Sequence, residues 1–439
     1  MEKPGDQVKI ITKDKQDKDG KGYEGILIDK KPDTTIIKMG TGYNIGIDNN
    51  RIKSVKVLKK GKDIEIKYKA KKQSRKDLPK ISILHTGGTI ASKVDYRTGG
   101  VYTSFKPEDL LGLFPELADI AIFDSKLLAN MWSEDLRFKH LTVLADAIQA
   151  EVEKGAKGVI IGMGTDNLAV AAAGLSFTLE NPSIPVLFVG AQRSSDRGSS
   201  DAAMNIICAA EFIAKTDFTG VALCMHDYTS DEHCAILPGC KTKKLHSSRR
   251  DAFKPVNADI IATIDYKSRK IKFKKDYQKA SGEPMIIKSK FEEKVGLIKA
   301  HVNMFADQFR FFKGYKGLVI EGMGLGQIPG EVTNEWSGPN KDIFPAIKDL
   351  VDSGTTLVMT TNTIFGRVNL NVYSKGRDIK ALGVIPGEDM LAEVALVKLA
   401  WLLANRPNDV EDLIGENLRG EINSCISEDE FIETENNNP

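Results

Sequence analysis

The sequence predicts an α/β protein in which two doubly wound α/β domains follow a small all-β barrel of the SH3-like or Sm-like type. Short apolar runs typical of buried strands alternate with helix-forming runs, which favours a mostly parallel sheet with helices on both faces. The alternation pauses after residue 285 and resumes at residue 295, so we expect two such domains. The first 58 residues contain only β-like runs separated by turn formers, which indicates a separate barrel.

Composition narrows the class of protein before any motif is considered. The chain has 439 residues, a formal net charge of +2 and 28% charged residues, so no global field would attract nucleic acid or a membrane. No apolar run reaches the ~20 residues that a membrane helix needs, and the N-terminus does not resemble a signal peptide. The five cysteines include no CxxC pair, which fits a reducing compartment. We therefore expect a soluble, cytoplasmic protein.

The barrel is predicted over residues 1–58. No pair of carboxylates, His or Cys suited to catalysis occurs there, so a docking module is expected. Residues 59–80 are predicted to be a basic linker with ten Lys or Arg residues, which suits either a solvated connection or a contact to an RNA backbone. The β-like runs of the barrel are VKIIT, YEGILI, TTIIKM, YNIGI and IKSVKVL.

The first α/β domain is predicted over residues 81–285. It opens with the strand ISIL at 81–84, and Gly87-Gly88 then allow a sharp turn because glycine tolerates positive φ. The remaining elements are a helix over 141–152 that stops at Gly155, strands at 158–161, 186–189 and 221–225, helices at 168–179 and 201–213, and an edge hairpin at 259–266 and 270–275.

The second α/β domain is predicted over residues 295–410, after a charged connector. Residues 411–439 are predicted to be a polar tail, and its final stretch, SEDEFIETENNNP, is expected to fray. The elements of this domain are strands at 295–301, 317–324 and 355–362 and helices at 342–354 and 389–405, with Pro407 ending the last helix.

Polar side chains follow successive predicted strands, where open α/β sheets bind their ligands. Thr89 follows the first strand, and Thr165-Asp166 follow the next one at Gly164. A hydroxyl beside a carboxylate often caps a helix, which is the alternative to a catalytic role. Lys244 lies in a basic run, where lysines are usually solvated, although a lysine held in a dry cleft can act as a base. Because an unassisted Thr hydroxyl is a poor nucleophile, a Thr with such a relay beside it suits nucleophilic catalysis.

Three motifs in this order resemble the bacterial-type L-asparaginase/glutaminase family. They are the segment 86–91, the segment 164–166 and the spacing from Lys244 to Phe253, and the likeness extends from Ile81 to about Asn405. The resemblance implies an asparaginase-type fold for both α/β domains. It also implies acyl-enzyme formation on the side-chain amide of Gln or Asn, release of ammonia and hydrolysis.

The resemblance further implies a role for each site residue. Thr89 would be the nucleophile, and Thr165, Asp166 and Lys244 would form the relay, with Asp166 also holding the substrate α-amino group. Glu134 stands where many free members have Gln, and Asn167-Leu168 stand where Thr-Met is common, so the preferred amide is left open. The implied substrate-binding residues are Ser133 for the α-carboxylate, its neighbour Glu134, Tyr96 on a loop over the nucleophile, and Gly88 and Gly164, with an oxyanion held near Gly88.

The stretches 42–47, 190–205 and 246–253 resemble the asparaginase-like subunits of archaeal glutamyl-tRNA(Gln) amidotransferases. In that family the fold supplies ammonia to an E subunit, which activates the misacylated glutamate on the tRNA with ATP. The implied partners are this E subunit, in a heterodimer or in an α2β2 heterotetramer around a homodimer of this chain, and tRNA(Gln), contacted mainly through the partner. No cofactor is expected on this chain, because the partner would use ATP and Mg.

Two other functions remain open at this point. One is a free asparaginase or glutaminase of amino-acid catabolism, against which the N-terminal barrel argues. The other is a non-catalytic scaffold, which would not need the Thr/Asp/Lys set. No metal site is predicted, because the Cys and His residues between 224 and 246 fit no familiar zinc spacing. The absence of a GxxxxGK[ST] segment indicates that ATP is bound elsewhere. Trp132 and Trp401 are predicted to pack in the core.

Overall fold

The computed structural model describes residues 2–3, 5–13, 22–39, 44–61, 77–88, 92–94, 101–103, 114–193 and 200–426, and the elements below are numbered over these ranges. Thr89 and Tyr96 lie outside them, as do residues 62–76 of the predicted linker and residues 427–439 of the predicted tail.

The N-terminal strands form one antiparallel sheet. Their bounds are β1 Gln7–Thr12, β2 Tyr23–Lys30, β3 Thr34–Met39, β4 Asn44–Asp48 and β5 Ile52–Lys59. The spatial order is β4-β3-β2-β1-β5, and alternate residues face inward because the strand period is two. The predicted five-strand pattern is confirmed. The buried core of this sheet consists of Val8, Ile10, Leu27, Ile37 and Ile47.

An eight-stranded sheet forms the centre of the next part of the chain. Its strands are β6 Lys80–His85, β9 Ile122–Leu127, β10 Gly158–Gly162, β12 Pro185–Val189, β13 Gly220–His226, β14 His233–Pro238, β17 Ala262–Asp265 and β18 Ile271–Phe273. The order is β18-β17-β14-β13-β12-β10-β6-β9. The strands from β13 to β9 are parallel, while β14, β17 and β18 are antiparallel. The antiparallel strands form one edge, as the predicted hairpin implied for β17 and β18.

Helices cover both faces of this sheet. The helix α3 packs its buried face on one side, whereas α1 and α2 pack on the other, which gives two separate apolar cores. The helix bounds are α1 Phe138–Glu153, α2 Leu168–Thr178 and α3 Ala202–Lys215. Short paired strands lie outside the sheet, namely β7 Ser92–Val94 with β8 Val101–Thr103, β11 Leu179–Glu180 with β19 Ile286–Ile287, and β15 Thr242–Lys244 with β16 Phe253–Pro255.

The second α/β domain contains a four-stranded parallel sheet. Its strands are β20 Val295–Lys299, β21 Gly317–Gly322, β22 Thr356–Thr361 and β23 Ile385–Pro386, in sequence order. Its helices are α4 Asp307–Arg310, α5 Ile343–Asp352, α6 Ser374–Ala381, α7 Ala392–Asn405 and α8 Val410–Ile414. The two α/β domains share a core, in which Phe177 of α2 meets Trp401 of α7 with ring centroids 6.1 Å apart. The α/β fold class is therefore confirmed.

Two sequence predictions are corrected here. Trp132 is not in the core, since 67% of it is exposed, because the buried residue of the following turn is its neighbour Ser133. The polar tail does not begin at residue 411, because α8 and Glu421 are packed against α7. Lys398 of α7 is fully buried and needs an acidic partner, which Glu421 supplies at 2.7 Å.

No helix in the described ranges combines the length and apolar character needed to cross a membrane.

Candidate active site

Three loops meet beyond the carboxyl ends of β6 and β10. Gly87 and Gly88 follow β6 with φ of 104° and 87°, a region that side chains rarely adopt. A Cβ at Gly88 would lie 2.4 Å from the Gly164 nitrogen, and one at Gly87 would lie 2.6 Å from the Met131 carbonyl oxygen. The loops therefore approach one another this closely because these positions carry no side chain.

Ser133 joins the loop after β10 to the loop that precedes α1. Its hydroxyl accepts a hydrogen bond from the Asp166 backbone N–H at 3.1 Å, and its carbonyl accepts one from the Asn167 side chain at 2.9 Å. Ser133 is only 2% exposed. A Cβ at Gly164 would lie 2.8 Å from the Ser133 hydroxyl oxygen, so this contact also requires glycine. These bonds hold Thr165 and Asp166 in a fixed loop ahead of α2.

Lys244 reaches the same loop from the β15–β16 hairpin. Its Nζ donates to Thr165 Oγ1 at 2.9 Å and to Asp166 Oδ1 at 2.8 Å. The hairpin register pairs Lys244 with Phe253, which is buried in the apolar core beside α2. The lysine side chain is 14% exposed, whereas that of Asp166 is 63% exposed. The three groups therefore form one hydrogen-bonded set that is closed at Thr165 and open to solvent at Asp166.

This arrangement permits two kinds of chemistry. A proton can move between the Thr165 hydroxyl and the Lys244 amine without a large movement, since the two atoms already share a hydrogen bond. The open carboxylate of Asp166 can accept hydrogen bonds from an incoming ammonium group. The set therefore suits proton transfer next to a bound cation.

Two histidines lie buried at the ends of strands. Burial lowers the pKa of His85, at the end of β6, to about 3. Burial also lowers the pKa of His226, at the end of β13, although nearby Asp201 and Asp231 oppose this. His226 is instead held by Asn205, whose side-chain oxygen lies 2.7 Å from its Nδ1. The Lys244 amine, by contrast, is hydrogen-bonded to Thr165 and Asp166, which places it for proton transfer.

The other predicted site residues are placed as follows. Glu134 lies exposed in the short 3-10 turn Ser133–Asp135. Thr89 and Tyr96 fall outside the described residues, although Gly88, which directly precedes Thr89, contacts Gly164. Sequence reasoning missed the part that Asn167 plays in holding Ser133, and the only signal for it was its position directly after Asp166.

Two cavities lie elsewhere in the described residues, and neither is lined by Thr165, Asp166 or Lys244. One of about 470 Å³ is lined by Glu180, Trp401 and Arg419, among others, between α7 and α8 and the end of α2. A smaller one of about 150 Å³ is lined by Lys243, Glu321 and Asp389, among others, at the carboxyl ends of β20, β21 and β22. Within the described ranges, no group of three or more His, Cys, Asp or Glu side chains could hold a metal ion.

Family models match nearly the whole chain in three parts. Residues 3–58 match the GatD N-terminal domain, and residues 80–279 match the N-terminal domain of asparaginase. Residues 294–413 match the glutaminase/asparaginase C-terminal domain.

Two proteins named as the D subunit of glutamyl-tRNA(Gln) amidotransferase are similar to this chain over most of its length. The protein from Pyrococcus furiosus is 44% identical over 438 residues, which cover 98% of this chain and 97% of that protein. The protein from Methanococcus maripaludis strain C7 is 43% identical over 415 residues, which cover 92% of this chain and 96% of that protein.

Solved structures of asparaginases are similar to only part of this chain. The thermostable L-asparaginase from Thermococcus kodakarensis has a TM-score of 0.68 and 27% identity, covering 79% of this chain and 100% of that one. L-asparaginase I from Vibrio cholerae has a TM-score of 0.66 and 25% identity, covering 79% of this chain and 99% of that one.

Proposed function

The chain belongs to the family of glutamyl-tRNA(Gln) amidotransferase D subunits, and from this membership we propose that it releases ammonia from the side-chain amide of Gln or Asn. It is an amidotransferase subunit rather than a free asparaginase. The ammonia passes to a partner, the E subunit, which converts Glu-tRNA(Gln) to Gln-tRNA(Gln) in the cytoplasm. ATP and Mg act in that partner, and this chain uses no cofactor.

The observation that carries the proposal is the double hydrogen bond of Lys244. Its Nζ lies within 2.9 Å of both Thr165 Oγ1 and Asp166 Oδ1, although the lysine comes from a distant part of the sequence. A lysine shared between a hydroxyl and a carboxylate suits a relay for an attacking hydroxyl. The relay serves Thr89, whose neighbour Gly88 contacts Gly164.

The reaction has two stages. In the first, the Thr89 oxygen bonds to the amide carbon while the relay takes its proton, and the C–N bond then breaks as the nitrogen gains a proton and leaves as ammonia. In the second, water attacks the resulting ester and frees the acid and Thr89. Backbone N–H groups near Gly88 stabilise the oxyanion in both stages.

Substrate binding uses the open side of the site. Asp166 accepts hydrogen bonds from the α-ammonium group, since its carboxylate is largely exposed beside the relay. The hydroxyl of Ser133 accepts from the Asp166 N–H, which leaves its own O–H to donate to the α-carboxylate. Tyr96 and Glu134 complete the pocket, and the barrel over residues 1–58 contributes to docking of the E subunit.

The test is ammonia release from Gln and Asn by the purified chain, with and without the E subunit and Glu-charged tRNA(Gln). We expect release to rise sharply when both are present and to disappear in Thr89→Val, while Thr89→Ser retains part of it. Rapid release of ammonia by the chain alone, with no response to RNA, would contradict the proposed dependence on the E subunit and charged tRNA. Full activity in Thr89→Val would remove Thr89 as the nucleophile.

A further inference from the structure

The hairpin that carries Lys244 has two differently used faces. Successive side chains of a strand point to opposite sides, so Lys244 lies on one face and Lys243 on the other. Lys244 faces Thr165 and Asp166 in the first α/β domain. Lys243, and Lys241 two positions before it, instead reach the second α/β domain at the start of α7.

The pair formed by Lys241 and Asp389 is almost completely buried. Lys241 Nζ lies 2.6 Å from Asp389 Oδ2, with side-chain exposures of 2% and 0%. The carboxylate also accepts hydrogen bonds from the backbone and side-chain nitrogens of Asn423, at 2.9 and 3.0 Å. Every charge in this pair is therefore met by a fixed partner, which makes its geometry difficult to change.

A second pair lies one step further along the same face. Lys243 Nζ is 2.5 Å from Glu393 Oε1, with side-chain exposures of 31% and 26%. Asp389 and Glu393 stand four residues apart, one just before α7 and one in its first turn. Two contacts fix a short strand against sliding and rotation, which a single contact does not.

Burial of these charges is not explained by stability alone. Desolvation offsets much of the attraction in a buried ion pair, and apolar side chains of similar volume often stabilise a protein as well or better. An ion pair with additional hydrogen bonds instead holds its side chains in one defined geometry. The residue next to this arrangement is the lysine of the proposed relay.

We propose that Lys241–Asp389 and Lys243–Glu393 are positioning pairs that set the distance from Lys244 to Thr165 and Asp166. The second α/β domain thus controls the relay through α7, although it supplies none of the relay's groups. This inference rests on the proposed function, because it concerns the same lysine.

The partly exposed Lys243–Glu393 pair provides the sharper test. Truncating one partner of the buried Lys241–Asp389 pair would strongly destabilise the chain. Lys243→Met should lower kcat for ammonia release by on the order of tenfold or more, because small displacements of a catalytic group have effects of this size. KM should change by less than about twofold, since the Asp166 carboxylate stays in place. The assay uses the full chain with the E subunit, charged tRNA and either Gln or Asn.

Lys288→Met is the matched control. Lys288 lies 2.8 Å from Glu180, with side-chain exposures of 26% and 18%, close to those of the Lys243–Glu393 pair, but this ion pair does not involve the hairpin. Its loss should leave kcat unchanged. Equal effects of Lys243→Met and Lys288→Met on kcat would overturn the proposal.

Reversal of the pair separates positioning from simple destabilisation. Lys243→Glu alone places two carboxylates together and should lower kcat further than Lys243→Met. Adding Glu393→Lys restores an ion pair in the opposite sense and should recover most of the lost turnover. Absence of recovery in the folded double variant would overturn the proposal. If Lys244→Met retains full activity, the relay itself is wrong and the proposed function fails, whatever the Lys243 variants do.

Discussion

Thr165 is the most buried residue of the proposed relay. It accepts a hydrogen bond from Lys244, and the closely packed Gly190 lies beside its methyl group. Thr165→Val keeps the shape of the side chain and removes the hydroxyl. We expect ammonia release to fall by about 10²–10⁴-fold, the usual contribution of a proton-transfer group.

The thermal midpoint and kcat of this variant should be measured together. Thr165→Ser, which keeps the hydroxyl, should retain much of the rate and serves as the control. A Val variant with normal turnover would show that the Thr165 hydroxyl takes no part in the chemistry.

His85 makes stability depend on pH. Its pKa falls from an ordinary value of 6.5 to about 3 because it is buried, so protons bind more readily to the unfolded chain. Neutral His85 makes its full contribution to the free energy of unfolding above pH 6.5, and this contribution is lost as the pH falls towards 3. At 1.36 kcal/mol per pH unit, the loss between pH 6.5 and pH 5 is about 2 kcal/mol.

Denaturant unfolding at a series of pH values measures this loss. In His85→Gln the slope of the free energy of unfolding against pH should become shallower in this interval. The remaining slope would include His226, whose pKa is also lowered by burial. An unchanged slope in His85→Gln would contradict the assignment.

At the scale of elements, the loop after β6 depends on the missing side chain of Gly88. Gly88→Ala introduces strain at a φ of 87° and places a Cβ 2.4 Å from the Gly164 nitrogen. We expect the free energy of unfolding to fall by more than the ~1–2 kcal/mol of backbone strain alone, and ammonia release to fall as well. Gly155→Ala, at a φ of 82° with no atom within 4 Å of the new Cβ, isolates the strain. Equal losses of unfolding free energy in the two variants would mean that the close approach of the loops does not contribute to stability.

The main strands and helices could be predicted because each carries its own periodicity. The run from Gly158 to Gly162 is wholly buried and apolar, and α1 places Leu141, Leu144 and Ile148 on one face. The hairpin of β15 and β16 has no such signal, since its strands have three residues each and include several lysines. Its position comes from ion pairs with residues about 150 positions away, which no local pattern contains.

The site was predictable in parts for the same reason. Thr165 and Asp166 are adjacent in sequence, so their proximity was certain, whereas the approach of Lys244 depends on the whole fold. The sequence does not reveal that Trp132 is exposed, because exposure changes between it and Ser133 within one short turn. The sequence does not reveal that Glu421 is buried, because nothing near it in sequence indicates that Lys398 needs a partner.

At the scale of the whole molecule, the N-terminal sheet is the part that sets this chain apart from the asparaginases. The two similar asparaginase structures are covered almost completely, yet each matches only 79% of this chain. The sheet has its own core of five buried aliphatic side chains, separate from the cores of the α/β domains. A unit with its own core can be removed without opening another one.

A chain that begins at Asp77 tests whether this sheet acts as a docking module. Because the α/β cores remain complete, we expect the thermal midpoint of the main body to stay within a few degrees of the full chain. The dissociation constant for the E subunit should rise by about tenfold or more, which corresponds to ~1.4 kcal/mol of lost contact. Calorimetric titration of the E subunit into each form measures the change, and ammonia release at saturating E subunit serves as the control because the relay is untouched. An unchanged dissociation constant would assign docking to the α/β domains, whereas failure of the shortened chain to fold would show that the N-terminal sheet is required for their stability.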